Sequence, residues 1–168
     1  PLEWEIPLSL NDSTTVKQYG TVQEVYASMT ANYPGWDYIF PLRNDTNTTT
    51  TSPLTNSGYT QDSYTCLSWG GCDKYHIVDG INYLNSVLGK PRMDAGPAKC
   101  VRVSCSWNSA IFMCKCNDHE VYLGSFRDVA GAAQFLVDTC KIDASHISGW
   151  FSGQVFYKEK WNAIVKWD

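Results

Sequence analysis

Residues 99–116 read Lys-Cys-Val-Arg-Val-Ser-Cys-Ser-Trp-Asn-Ser-Ala-Ile-Phe-Met-Cys-Lys-Cys. Val101, Val103, Cys105 and Trp107 recur at every second position, the period of an extended strand with one apolar face. Asn108-Ser109 supplies turn chemistry, and Ala110 to Cys116 returns with Phe112, Cys114 and Cys116 on one face. A two-residue turn sets Val103 opposite Cys114 and Cys105 opposite Phe112. The segment is therefore expected to be a β-hairpin whose apolar face matches on both strands. Such a face must be buried against other elements, and the flanking sequence supplies candidates.

Upstream, Asp73 to Leu88 repeats Ile77, Ile81, Leu84 and Leu88 at helical spacing, with Gly89 just beyond. Downstream, Ser125-Phe-Arg-Asp128 is a capping motif, followed by a stripe of Phe126, Val129, Ala130, Ala133, Val137 and Cys140. Small residues at 130–133 allow this helix to approach a sheet closely. Ser63 to Trp69, closed by Gly70-Gly71, reads as a strand, and Pro91 to Pro97 as a loop. Gly153 to Tyr157 and Trp161 to Trp167 read as strands joined at Lys158-Glu-Lys160. The order from residue 64 is β-α-β-β-α-β with room for one further strand. The expected fold is α+β: a split βαβ arrangement, an antiparallel sheet with two helices on one face, stapled by disulfides.

All seven cysteines lie from Cys66 onward. The chain thus divides into a cysteine-free N-terminal extension, 1–60, and a cysteine-rich sandwich, 61–168. In the extension, Pro1 to Pro7 predicts a short edge strand. Thr21-Val-Gln-Glu24 is a capping box ahead of Val22, Val25 and Met29, so a helix of about ten residues ends at Pro34-Gly35. Arg43 to Pro53 is polar and of low complexity, which predicts a loop or spacer.

Composition sets the compartment. Cysteine at this density, with only 18% charged residues in a 168-residue chain, points to an oxidising environment. Three tripeptides fit N-glycosylation, at Asn11, Asn44 and Asn47. The chain opens at Pro1, which we read as a processed, secreted form. A net charge of −4 argues against nucleic-acid binding, and no apolar run reaches the length of a membrane span. Cys114-Lys-Cys116 is too tightly spaced for a zinc knuckle, and no second metal-ligand pair accompanies it, so no metal or cofactor is expected. The disulfide candidates are Cys66, Cys72, Cys100, Cys105, Cys114, Cys116 and Cys140. Seven cysteines leave one over, so the protein is expected to be a monomer or a disulfide-linked dimer. Cys100 and Cys105 lie roughly 16 Å apart on an extended strand and cannot bridge each other.

Several pieces carry a resemblance. Lys99 to Ile111, Cys116-Asn-Asp118, and Ser148-Gly149 to Val165 with Gly153-Gln-Val-Phe156 and Trp161-Asn-Ala-Ile-Val165 resemble, in order, segments of ascomycete small secreted proteins. These include fungal effectors and killer-toxin-like proteins. The resemblance covers roughly residues 64–168. It implies a disulfide-stabilised α/β sandwich, export with the option of uptake into host cells, and action without a shared catalytic site. The sequence departs at Cys114-Lys-Cys116, where the pattern has a single cysteine, and this locates the odd thiol at one of the two.

The residues offer little for catalysis. A His119–Glu120 pair could do acid–base work in a ribonuclease-like hydrolase, with His76 or His146 as second group, but nothing in the spacing brings these together. No Gly-x-Ser-x-Gly elbow or phosphate-binding glycine loop is present. The aromatic residues are more suggestive. Trp150, Tyr157, Trp161 and Trp167 cluster near the C-terminus, and strand alternation turns some of them outward. They are the candidate binding surface. The expected function is that of a secreted effector or toxin-like virulence protein that binds a host or competitor protein or a cell-surface glycan. A carbohydrate-binding module using Trp150 or Trp161 is the other binding class.

Overall fold

The computed structural model describes residues 2–11, 13–43, 58–140 and 149–168. Asn44, Asn47, His146 and most of the 43–53 stretch lie outside the described residues. The chain runs β1 (Glu3–Pro7), β2 (Thr15–Tyr19), α1 (Val22–Asn32), α2 (Trp36–Ile39), β3 (Gln61–Cys66), β4 (Cys72–Asp73), α3 (Lys74–Ser86) and β5 (Pro91–Met93). It continues β6 (Lys99–Ser106), β7 (Ser109–Lys115), β8 (Val121–Tyr122), α4 (Phe126–Thr139), β9 (Trp150–Phe151), β10 (Gly153–Tyr157) and β11 (Trp161–Trp167). The class is α+β, with antiparallel pairing throughout the described ladders.

The main sheet has the order β3-β10-β11-β7-β6. The expected C-terminal strands are present, but they sit in the middle of the sheet, between β3 and the β6–β7 hairpin. In the described sheet the first strand is therefore not a neighbour of that hairpin. β11 pairs with β7 along its whole length, from Trp161↔Lys115 to Trp167↔Ser109, burying both backbones centrally.

The hairpin forms with a different register. Its two turn residues are Trp107 and Asn108, both with positive φ (48° and 56°), one residue earlier than the sequence suggested. A two-residue hairpin turn of this kind matches the right-handed strand twist. Cys100 then faces Cys114 and Cys105 faces Ala110, and an irregularity at Val103 shifts the pairing between Arg102 and Ser104. This register turns the other face of β7 inward. Ile111 and Met113 are fully buried toward the helices, while Phe112 lies on the other face under the Lys166 ammonium, 4.7 Å from its ring centre. The extra residue at Val103 breaks the two-residue period, so alternation read from one end mislabels the other.

The helices pack on one face of this sheet. α3 is capped by Asp73, whose carboxylate accepts from the Tyr75 N–H at 2.7 Å. α4 has the full capping box of Ser125 and Asp128. A Cβ at Gly80 would lie 2.3 Å from Ser104 Oγ, so α3 rests on β6 with no room for any side chain there. Ile77, Ile81 and Leu84 of α3, and Phe126, Val129, Ala133 and Leu136 of α4, form the core beneath.

The N-terminal elements β1, β2, α1 and α2 join this core. β1 pairs with β2 on one side and with β5 on the other, in a four-stranded sheet β2-β1-β5-β8. β1 is thus an inner strand. Trp4 is fully buried, stacks on Phe126 with ring centres 3.7 Å apart, and donates its indole N–H to Gly20 O. α1 keeps the capping box of Thr21 and Glu24, and the Thr21 N–H holds the Glu24 carboxyl below its usual range. Gln23 donates to Ser104 Oγ at 2.8 Å and accepts from the Cys105 N–H. These contacts put the N-terminal elements on the helix side. The opposite sheet face carries its own network: the Arg102–Asp168 pair, the Cys100–Cys114 bridge, and the Gln154–Asn162 hydrogen bond.

Two disulfides form, Cys66–Cys140 and Cys100–Cys114, where three were suggested by seven cysteines. Cys72, Cys105 and Cys116 are unpaired. Cys114 bonds to its direct cross-strand neighbour, and Cys116, two residues on, has no cysteine opposite it. Cys105 faces Ala110. Cys72 is sealed in the core, its thiol donating to Phe151 O at 3.1 Å, and burial pushes it up to about 12. The folded thiol keeps its proton where the unfolded one, near 9, loses it. Its contribution to stability is complete below about pH 9 and is lost as pH rises toward 12, by at most about 1.4 kcal/mol per pH unit. Iodoacetamide at pH 8 is accordingly expected to modify exposed Cys116 in the native protein and Cys72 only after unfolding. Peptide mapping checks this, and rapid native labelling of Cys72 would contradict its burial.

Candidate functional site

The loop after β3 builds the site. Leu67 takes a left-handed conformation, φ 61°, and turns the chain out of the sheet immediately after the Cys66–Cys140 bridge. One buried serine holds the loop. Ser152 O accepts the Leu67 N–H at 2.9 Å, and Ser152 Oγ donates to Trp69 O at 2.8 Å. Gly70 then lets the end of β11 approach. A Cβ there would lie 3.3 Å from the Trp167 Cβ, and the Trp167 N–H donates to Gly70 O at 2.8 Å. β9 pairs with β4 beside it, bringing Trp150 over Trp167 with ring centres 5.6 Å apart and planes at 20°.

The result is an aromatic end to the molecule. Trp69, Trp150 and Trp167 each keep more than 40% of their surface exposed, and Leu67 keeps 58%. The hairpin tip adjoins them, because Asp168 N–H donates to Asn108 O and the Asp73 N–H to Ser109 Oγ. Trp107 on that tip is 80% exposed and stacks on His76 of α3, ring centres 6.0 Å apart. Exposed tryptophans rimmed by polar groups are the usual anchors of interfaces, since each removes a large apolar area from water at little conformational cost.

Two of the four aromatic candidates lie here, Trp150 and Trp167. The other two do not. Trp161 is buried, 1% exposed, stacked on Tyr157 at 4.2 Å and met edge-on by Tyr59. Tyr157 is half-buried, and that burial pushes its hydroxyl up to about 12. Trp161 and Trp167 lie on the same face of β11, yet only Trp161 is covered, because the Tyr157 and Tyr59 rings close over it. Trp69 and Leu67 were read as the end of a strand, and their exposure had no signal beyond the Gly70-Gly71 pair that follows.

The acid–base candidates are not brought together. His119 is 82% exposed by its side chain and lies 3.5 Å from Asp118, while Glu120 pairs with Arg92 at 2.6 Å. His76 is at the hairpin tip and His119 beyond the hairpin base, the length of β7 apart, roughly 20 Å. Among the described residues no group of three or more His, Cys, Asp or Glu could hold a metal. Asn11 is exposed in the connection between β1 and β2.

One residue outside these candidates is unusual. Lys115 is 2% exposed, and its ammonium donates to three backbone carbonyls: Asp94 O at 2.6 Å, Gly96 O at 2.8 Å and His119 O at 3.0 Å. It ties the loop after β5 and the loop after β7 to the sheet. Its role is structural.

No family model, curated protein or solved structure matches the chain.

Proposed function

We propose that the chain is a secreted effector or toxin-like protein, of the ascomycete small secreted kind it resembles, acting by binding a host or competitor protein. The observation that carries the reading is the aromatic end: Trp150 and Trp167 stacked and exposed, with Trp69 exposed on the adjoining loop that Ser152 fastens by hydrogen bonds. Rigid anchors lose little entropy on binding, so such a surface suits recognition. Export is supported by the two disulfides and by the exposure of Asn11, which begins a sequon. Among the described residues no helix is long and apolar enough to cross a membrane.

The test is infiltration of the purified protein into plant tissue, with a parallel growth assay on competitor fungi. The wild type is expected to provoke cell death or arrest growth. The Trp150→Ala, Trp167→Ala double variant should need at least about tenfold more protein, about 1.4 kcal/mol of lost binding, with an unchanged folded spectrum. Equal potency of the variant, or an inert wild type in both assays, overturns the reading.

A further inference from the structure

A second surface feature lies on the α1–α3 side of the hairpin tip. A groove of about 330 Å³ is lined by Gln23 of α1, Leu42, Asp79, Asn82 and Tyr83 of α3, and Ser106 of β6. The size is at the small end of ligand sites, enough for one or two sugar units rather than a folded partner. Trp107 does not line the groove itself; it follows Ser106 in the chain and stacks on His76, whose Nδ1 lies 3.9 Å from the Asp79 carboxylate, so its ring borders the groove through His76.

The chemistry of the lining narrows the ligand. The one charged group among these residues is the Asp79 carboxylate, with His76 Nδ1 at 3.9 Å, so nothing there favours an anion. The side chains of Asn82, Tyr83 and Ser106 make no hydrogen bonds among the described residues, and they offer an amide and two hydroxyls. Gln23 is held at both ends of its amide by Ser104 and Cys105 and so forms a fixed wall. A carboxylate and an amide side by side can each engage two neighbouring hydroxyls, and Leu42 is the one aliphatic residue of the lining.

Trp107 supplies the independent observation. Both turn residues have positive φ, a conformation that favours Asn and Gly. Asn108 fits and Trp107 does not. Trp107 is 80% exposed, and among the described residues its one ring contact is His76, so burial does not explain why a bulky residue occupies a strained position. An exposed indole face beside hydroxyl-binding groups does explain it, as a platform for the C–H face of a pyranose.

We infer that this groove binds a neutral hexose unit of an oligosaccharide, stacked on Trp107 and hydrogen-bonded by Asp79 and Asn82. The site is separate from the tryptophan end and goes beyond the reading given for it.

The experiment uses the intact protein labelled with ¹⁵N. Chitohexaose, laminarihexaose, cellohexaose and mannohexaose are titrated one at a time, followed by the tryptophan indole and side-chain amide resonances. At least one is expected to bind with a Kd of about 1 mM or tighter and to move the Trp107 and Asn82 signals. Trp107→Asn should weaken binding at least about tenfold while leaving Tm unchanged or higher, because Asn suits that turn position. Asn82→Ala should weaken it as well, and Trp150→Ala should bind like wild type. The inference is overturned if none of the four sugars moves the Trp107 indole, if Trp107→Asn binds normally, or if the shifts fall on Trp150 and Trp167 instead. Loss of sugar binding with intact biological potency, or the reverse, separates this site from the tryptophan end.

Discussion

Replacing Cys66 and Cys140 together by alanine is expected to cost about 4 kcal/mol of stability, against about 3 kcal/mol for the Cys100–Cys114 pair. The difference follows from the chain each bridge closes: the cysteines are 74 residues apart in the first case and 14 in the second. The longer loop restricts the unfolded chain more. Cys66–Cys140 also fastens an edge strand, β3, to the C-cap of α4, whereas Cys100–Cys114 joins strands already paired by their backbones. A domain of this size has roughly 5–15 kcal/mol in all, so the first variant should be marginal at 37 °C. Urea unfolding of the non-reduced proteins measures both. Equal losses for the two pairs would show that loop closure is not what the long bridge contributes.

Lys115→Met is expected to cost about 3–5 kcal/mol. The methionine fills a similar volume, so the loss is not a cavity. It comes from the loss of the buried ammonium that gathers three backbone carbonyls, at Asp94, Gly96 and His119, and so ties two loops to the sheet. Lys115→Arg should not recover the loss, because a planar guanidinium cannot direct its donors to three carbonyls around one nitrogen. Denaturation midpoints check both, and hydrogen exchange should show the loops at 94–96 and 117–119 opening first. A loss below about 1 kcal/mol for the methionine variant would mean that water replaces the ammonium.

The helices α1, α3 and α4 were legible because their signals are local, whereas the four-residue α2 carries none. The capping boxes at Thr21–Glu24 and Ser125–Asp128, and the stripes behind them, lie within one helix each. The strands at 153–157 and 161–167 were legible for the same reason. The hairpin was recognised, but its face was not, since one irregularity at Val103 reverses the alternation beyond it. β2 and β8 carry no pattern of their own, and β1 is inner only because β5 pairs with it. Of the candidate surface, Trp150 and Trp167 were named, but Trp161 could not be separated from them by spacing.

From the residues alone come the α+β class, the positions of the three long helices, the strand-rich C-terminus and a chain rich enough in cysteine to be stapled. These depend on neighbours within a few residues. Which cysteines bond, which tryptophans face water, and why Lys115 is buried depend on groups brought together from distant parts of the chain. Sheet order places β11 between β10 and β7, and the segments brought beside it set which end of the tryptophan-bearing face is covered and which stands free. Local propensity cannot encode that choice, because the same side of one strand is core at Trp161 and surface at Trp167.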